Sequence, residues 1–288
     1  MSGLALPSRF GLFAAGRICN HRPKGEKTTK GERMDYLTVA EARSLPGLRL
    51  VLSTGTPGPW GIAARALFDI RKVPFTPVRQ EIMQANEELV AWTGRRNAPV
   101  AVYEDEPAVD NWLDIAVLAE RLGTGPSLFP DDPLERTLAA GFSAEICGSG
   151  GFGWTRRLNM SAPGAPAPDG QQEARDRMMQ GYGMRPDAVK DAPARIAGIL
   201  TGLSTQLRRQ RDAGSDYLVG DRLSACDVHW ACFSQLVAPL SPENCALPEY
   251  LYSMFANVSG EVGAALDPIL IEHRDRVWER HIGLPLDY

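Results

Sequence analysis

Apolar residues change their spacing repeatedly between positions 48 and 122. Leu48, Leu50 and Leu52, with Arg49 and Val51 between them, read as a short strand. The breaker-rich run Ser53-Thr54-Gly55-Thr56-Pro57-Gly58-Pro59 follows. A helix is expected from about Trp60, with Ala63, Ala66, Leu67 and Ile70 on one face at i, i+3, i+4 and i+7. Phe75 to Gln80 reads as a second strand and Asn86 to Thr93 as a short helix. Pro99 opens a third strand, Val100 to Val102, at a position where its missing N–H removes no ladder bond. A turn around Glu104 to Glu106 leads to an expected fourth strand, Pro107 to Val109. Asp110 and Asn111 stand where a helix N-cap belongs, and Ile115, Leu118, Ala119 and Leu122 continue at helical spacing.

The turn-rich stretch Gly123 to Asp132 separates this region from one with no convincing strand. Leu134, Leu138, Phe142 and Ile146 recur every fourth residue, and Ile196, Ile199, Leu200, Leu203 and Leu207 mark a second long helix. Ser161 to Gly170 is a Pro/Gly-rich loop, and Asp267 to His281 mixes Ile269, Leu270 and Val277 with charges, as a covering helix would. The expected organisation is an extension, 1–46, largely outside the fold, an α/β unit at 47–124, and an all-helical unit at 130–288.

The order strand, helix, strand, helix, two strands, helix resembles the thioredoxin-like domain of the glutathione transferase family, over roughly Leu48 to Gly123. In that family a cis-proline opens a strand and an acidic-polar pair caps the next helix. The resemblance implies a cis bond at Pro99 and puts Ala98 and Pro99 beside the cysteinyl backbone of glutathione. It puts Asp110 and Asn111 at the positions of the family's Glu-Ser pair, which holds the γ-glutamyl carboxylate. Gly220-Asp-Arg-Leu-Ser-Ala-Cys-Asp227 is similar to a second family segment, in which a hydroxyl and an acid cap a buried helix, a structural role. The implied fold is a thioredoxin-like α/β domain followed by an all-α domain. The implied partners are glutathione as co-substrate, a small-molecule electrophile and a second copy of the chain in a homodimer.

Composition narrows the setting. The 288 residues are 44% apolar and 23% charged with a net charge of -4, which argues against nucleic acid as a partner. No uncharged apolar run reaches the roughly 18 residues of a spanning helix, so no membrane partner is expected. Five cysteines form no CxxC pair and leave one over, which points to a reducing cytosol rather than a disulfide scaffold. Residues 1 to 33 hold seven Lys or Arg and two acids, a charge of +5 against -9 for the rest. A targeting peptide and an extension ahead of a natural start at Met34 both fit this asymmetry. The second is favoured, because the apolar core of a secretory signal is missing.

Conjugation with glutathione requires its thiolate. Lowering a thiol pKa by two units takes about 2.7 kcal/mol, which one hydroxyl donor and a helix start together supply. The resemblance aligns Pro59-Trp60 with a Pro-aromatic pair that related members place directly after a catalytic Ser or Cys. Here that residue is Gly58. Thr54 and Thr56 are therefore the candidate donors to the sulfur, with Ser53, Gly58, Pro59 and Trp60 around the ligand. No cysteine falls in this loop, which excludes a thiol-disulfide mechanism. A glutathione transferase-fold binding or scaffold protein without efficient catalysis is the competing expectation, supported by Gly58 and the Asp-Asn pair. Phe142, Ile146, Trp154 and Tyr182 are the candidate walls of an electrophile site, and Arg156 and Arg157 its candidate anion-binding groups or a solvated face. Gly148 to Gly153 matches a dinucleotide fingerprint but follows a helical pattern and is read as a helix break. The four histidines lack ligand spacing, so no metal site is expected.

Overall fold

The computed structural model describes residues 34–160, 186–258, 260–286 and 288. Apolar side chains on consecutive positions make β1 (Leu48–Ser53) a strand covered on both faces, and it lies in the middle of a three-stranded sheet. β2 (Phe75–Gln80) pairs with it in parallel, Leu48 opposite Phe75 and Ser53 opposite Gln80. β3 (Val100–Tyr103) pairs antiparallel on the other side, Leu48 opposite Tyr103. A parallel pair needs a crossover, supplied by α2 (Pro59–Ile70), which buries Ile62, Ala63, Ala66 and Leu67. α3 (Glu87–Thr93) follows β2, and α4 (Trp112–Leu122) packs on α2.

Two expectations at the margins of this unit are corrected. Pro107 to Val109 does not form a strand. Its pairing stops at a single bridge, Val109 with Ala101. The turn from Tyr103 to Glu106 is tight, with Glu104 left-handed, Pro107 has no N–H to donate, and the chain is drawn off into the α4 cap. The segment 34–46, expected largely outside the fold, is packed into it. Leu37 donates to Pro77 O and accepts from Arg79 N, both at 3.0 Å. The short α1 (Val39–Ala42) begins with a Thr38–Glu41 capping box, and Val39 and Ala42 pack with Val51, Val78, Leu89 and Val100.

Beyond Leu122 the described residues form helices only, beginning with α5 (Pro133–Cys147) and α6 (Phe152–Met160). The stretch between Gly123 and Asp132 is tied down rather than loose. Arg71 reaches the carbonyls of Glu120, Gly123 and Gly125, and its own carbonyl accepts from Thr124 N and Gly125 N at 3.0 Å. α7 (Pro186–Asp212) buries the expected row from Ile196 to Leu207. α8 (Ala225–Phe233) is buried on every side. Its first turn is held by Asp227, which accepts from Leu218 N at 2.7 Å and from Ser224 N at 2.8 Å and Oγ at 2.7 Å. α9 (Glu249–Ala256), α10 (Gly260–Ala265) and α11 (Pro268–Val277) follow, the last continued by a π-helical turn, Trp278–Ile282.

α5 lies where expected, but its apolar row does not. Leu134 and Leu138 are exposed, and the buried face carries Ala139, Ser143, Ile146 and Cys147. A step of four residues overshoots one helical turn by about 40°, so a strict every-fourth row winds off the buried face.

Candidate functional site

The site forms where β1 and β2 end and α2 begins. Ser53 Oγ donates to Gln80 Oε1 at 2.7 Å, and Gln80, itself buried, anchors its amide on Glu81 O at 2.9 Å. Thr54 is held by the same residue, its N–H 3.2 Å and its Oγ1 3.5 Å from Gln80 O. Gly55 is left-handed, and Thr56 O accepts from Gly58 N at 2.9 Å, which turns the chain into the helix. Gly58 is the N-cap and has no side chain to cap with. Pro59 has no N–H, so the amides of Trp60 and Gly61 are the donors that α2 leaves without an intrahelical acceptor. This end of α2 carries the positive pole of the helix.

Pro99, Asp110 and Trp60 are brought together on one cleft, with Trp112, His229 and Phe233 completing its wall. The Ala98–Pro99 bond is cis. The Asp110-Asn111 pair divides its work. Asn111 Oδ1 accepts from Leu113 N at 2.9 Å and caps α4. Asp110 faces the cleft and pairs with Arg95 at 2.7 Å, both side chains partly exposed. Ser53 and Thr54 belong to the strand ends with Gln80 and are not in the cleft wall. Arg95 was not singled out from sequence, although it belongs to the basic Arg95-Arg96 pair just ahead of Pro99.

Trp60 connects α2 to the helical part. Its indole N–H donates to Cys147 O at 3.1 Å, and its ring meets Phe233 and Trp154 edge-on, with centroids 4.7 and 5.5 Å away. Arg157 lies over the same ring at 4.4 Å. Arg156 is neither a solvated group nor a substrate group. It is buried, and its guanidinium serves Leu236 O and Asn257 O at 2.9 Å and Asn159 Oδ1 at 2.6 Å. Burial lowers its pKa to about 10, which leaves it charged at neutral pH. Among the expected electrophile walls, Ile146 is core, Phe142 packs against the core, Trp154 stands beside Trp60, and Tyr182 lies outside the described residues.

Gly148 to Gly151 is the turn between α5 and α6, and Gly153 lies in the first turn of α6. Gly148 ends α5, and Gly150 is left-handed. The four described cysteines are free and buried. Burial pushes the thiols of Cys147, Cys226 and Cys232 up, so none is a thiolate nucleophile. Among the described residues no group of three His, Cys, Asp or Glu could hold a metal ion, and no helix is long and apolar enough to cross a membrane.

No protein-family model matches the sequence, and no curated protein matches it either. Solved structures do match in fold. A glutathione S-transferase of Methylobacterium radiotolerans, in complex with glutathione sulfonate, is 18% identical over 81% of this chain and 91% of its own, with a TM-score of 0.56. A glutathione S-transferase domain-containing protein of Marinobacter aquaeolei is 17% identical over 81% of this chain and 98% of its own, at 0.55. A β-etherase of a Sphingobium species is 15% identical over 80% and 99%, at 0.54.

Proposed function

We propose that this chain, which has the thioredoxin-like plus all-helical fold of the glutathione transferases, binds glutathione and adds its thiolate to an electrophile. The observation that carries the reading is the start of α2 without a side-chain cap, near a cleft lined by cis-Pro99 and by Asp110, which pairs with Arg95. The charges of the Asp110–Arg95 pair set the orientation. Asp110 takes the ammonium of the γ-glutamyl group, Arg95 its carboxylate, and Ala98 and Pro99 flank the cysteinyl backbone. The sulfur then sits at the N-terminus of α2. The amides of Trp60 and Gly61 and the hydroxyl of Thr54 or Thr56 stabilise its charge. The thiol proton leaves to solvent, the sulfur lone pair forms the new C–S bond, and the electrophile's leaving group or π electrons take the displaced pair.

The competing reading is a glutathione transferase-fold binding protein with poor thiol activation. Gly58 favours it, because the position where related members carry a catalytic Ser or Cys offers no side-chain donor to the sulfur, and so does Thr54, whose hydroxyl faces Gln80 O. Glutathione thiolate absorbance in the complex near neutral pH separates the two, being present only in the enzyme. The reading also includes a homodimer in the cytosol. Val117 on α4 and Leu134 and Leu138 on α5 are apolar, 51%, 76% and 51% exposed, and available to a second copy. Sedimentation of the full chain tests this.

The deciding experiment is calorimetric titration of reduced glutathione into the full chain and into Asp110→Ala and Thr54→Ala. Saturable binding that Asp110→Ala abolishes supports the site, and a Thr54→Ala that binds but does not form thiolate identifies the donor. No heat at millimolar glutathione overturns the reading.

A further inference from the structure

Arg95 stands on a stretch of chain with few holds. Its side chain is about half exposed and pairs with Asp110 at 2.7 Å. Among the described residues no backbone–backbone hydrogen bond reaches Arg95. Its main chain is held by a side chain instead, that of Thr93 at the end of α3. Arg95 N donates to Thr93 Oγ1 at 3.1 Å, and Arg95 O lies 3.3 Å from the same oxygen. Thr93 Oγ1 in turn donates to Leu89 O at 2.8 Å. A hydroxyl has one proton and two lone pairs, so giving the proton to the nearer Leu89 O leaves it able to accept from Arg95 N. Gly94, between the two, is left-handed and turns the chain off the helix. α3 itself is a fixed reference, because Leu89 is 1% exposed and packs, with Trp92, against Val39, Ala42, Val51 and Val78.

We propose that Thr93 is a positioning residue for Arg95: its hydroxyl ties the arginine to the last turn of α3, so that the guanidinium is presented to the carboxylate of the γ-glutamyl group. The inference rests on the glutathione reading for the ligand. An arginine side chain has many rotamers, and a half-exposed ion pair orders it weakly. Fixing the main chain at its root removes freedom that the pair leaves, before the ligand arrives. Asp110 needs no such tie, because the next residue, Asn111, is fastened to the start of α4 by its own cap. Valine has nearly the shape of threonine without the hydroxyl. Thr93→Val therefore releases Arg95 N while the packing of α3 stays.

The test uses the full chain, Thr93→Val, and Thr93→Ser, which restores a hydroxyl. Without ligand, amide hydrogen exchange at Arg95 is expected to be about three- to tenfold faster in Thr93→Val, one neutral hydrogen bond's worth, and close to wild type in Thr93→Ser. Amides of α8 keep their protection in both, which shows that the fold persists. Wild type alone gives a readout that needs no variant to fold: the Arg95 amide exchanges more slowly, relative to its intrinsic rate, than that of Arg96, whose N–H has no backbone acceptor among the described residues. Calorimetric titration then compares reduced glutathione with an analogue amidated at the γ-glutamyl α-carboxylate. Wild type is expected to prefer glutathione, and Thr93→Val to narrow that preference by about three- to tenfold. A purely structural Thr93 would weaken both ligands alike and leave the preference unchanged. An unprotected Arg95 amide in wild type, an Arg95 rate that Thr93→Val does not change, or a Thr93→Ser that behaves as Thr93→Val overturns the proposal. Saturable glutathione binding with an unchanged preference overturns this inference alone, whereas no glutathione heat in wild type overturns the glutathione reading and Thr93's part in it.

Discussion

Gly153 and Trp60 occupy one space: a Cβ at Gly153 would lie 2.9 Å from Trp60 Cη2 and 2.5 Å from Phe233 Cε1. The indole on α2 is thus seated by the absence of a side chain on α6. Gly153→Ala is expected to displace one of the two rings and to destabilise the chain by about 1 to 3 kcal/mol, the range for overpacking a filled interior. Denaturant unfolding followed by tryptophan fluorescence measures both effects. An Ala variant with unchanged midpoint and emission would show that the rings yield freely.

Asp227 and Ser224 make unequal contributions to the start of α8. Asp227→Ala leaves Leu218 N, Ser224 N and Ser224 Oγ without their acceptor and removes the carboxylate 3.1 Å from buried His273 Nε2. The expected loss is about 3 to 5 kcal/mol, as for breaking a buried polar network from one side. Ser224→Ala costs about 1 kcal/mol, an ordinary cap substitution. Urea midpoints of the two variants compare them directly, and equal losses would contradict this assignment.

Gln235 is 3% exposed, and among the described residues neither its Nε2 nor its Oε1 has a hydrogen-bond partner. A buried amide in that state costs about 1 to 3 kcal/mol, so Gln235→Met, of similar volume, is expected to match or exceed wild type in stability. Thermal melts decide it. A Met variant that melts well below wild type would mean that ordered water satisfies the amide.

His229 makes stability depend on pH. Its folded value near 4 lies below the ordinary 6.5, so between these values the unfolded chain binds a proton that the folded chain does not. The contribution is complete above pH 6.5 and declines as pH falls toward about 4, by up to about 1.4 kcal/mol per unit. His281, also lowered first by burial, acts with the same sign. Unfolding measured from pH 7.5 to 4.5 should show a shallower decline in His229→Gln than in wild type, and parallel curves would contradict the burial effect.

What the chain showed without its structure follows the range of the interactions concerned. Asn111, Ser224 and Asp227 were legible as caps because their capping bonds lie within three residues, whereas the bond from Leu218 N to Asp227, nine residues away, was not. The Thr38–Glu41 box is as local, but the basic run ahead of it drew the expected boundary too far along. Val109 was misread as part of a strand, since a strand depends on a partner for its length. Arg156 and Arg157 are neighbours in sequence, yet one turns inward to carbonyls between 236 and 257 and the other lies over Trp60. The Arg95–Asp110 pair and the His229–Ser143 contact join residues that no local pattern relates.

Gly58 has an ordinary backbone φ of -71°, and a Cβ there would meet nothing within 4 Å. The position tolerates a Cβ. A serine at this position would satisfy a helix amide and strengthen α2 by a few tenths of a kcal/mol. It would also occupy the donors that an incoming anion needs. The bare cap therefore makes position 58 a tunable gate, where one substitution sets how far this helix start serves its own fold and how far it serves a guest.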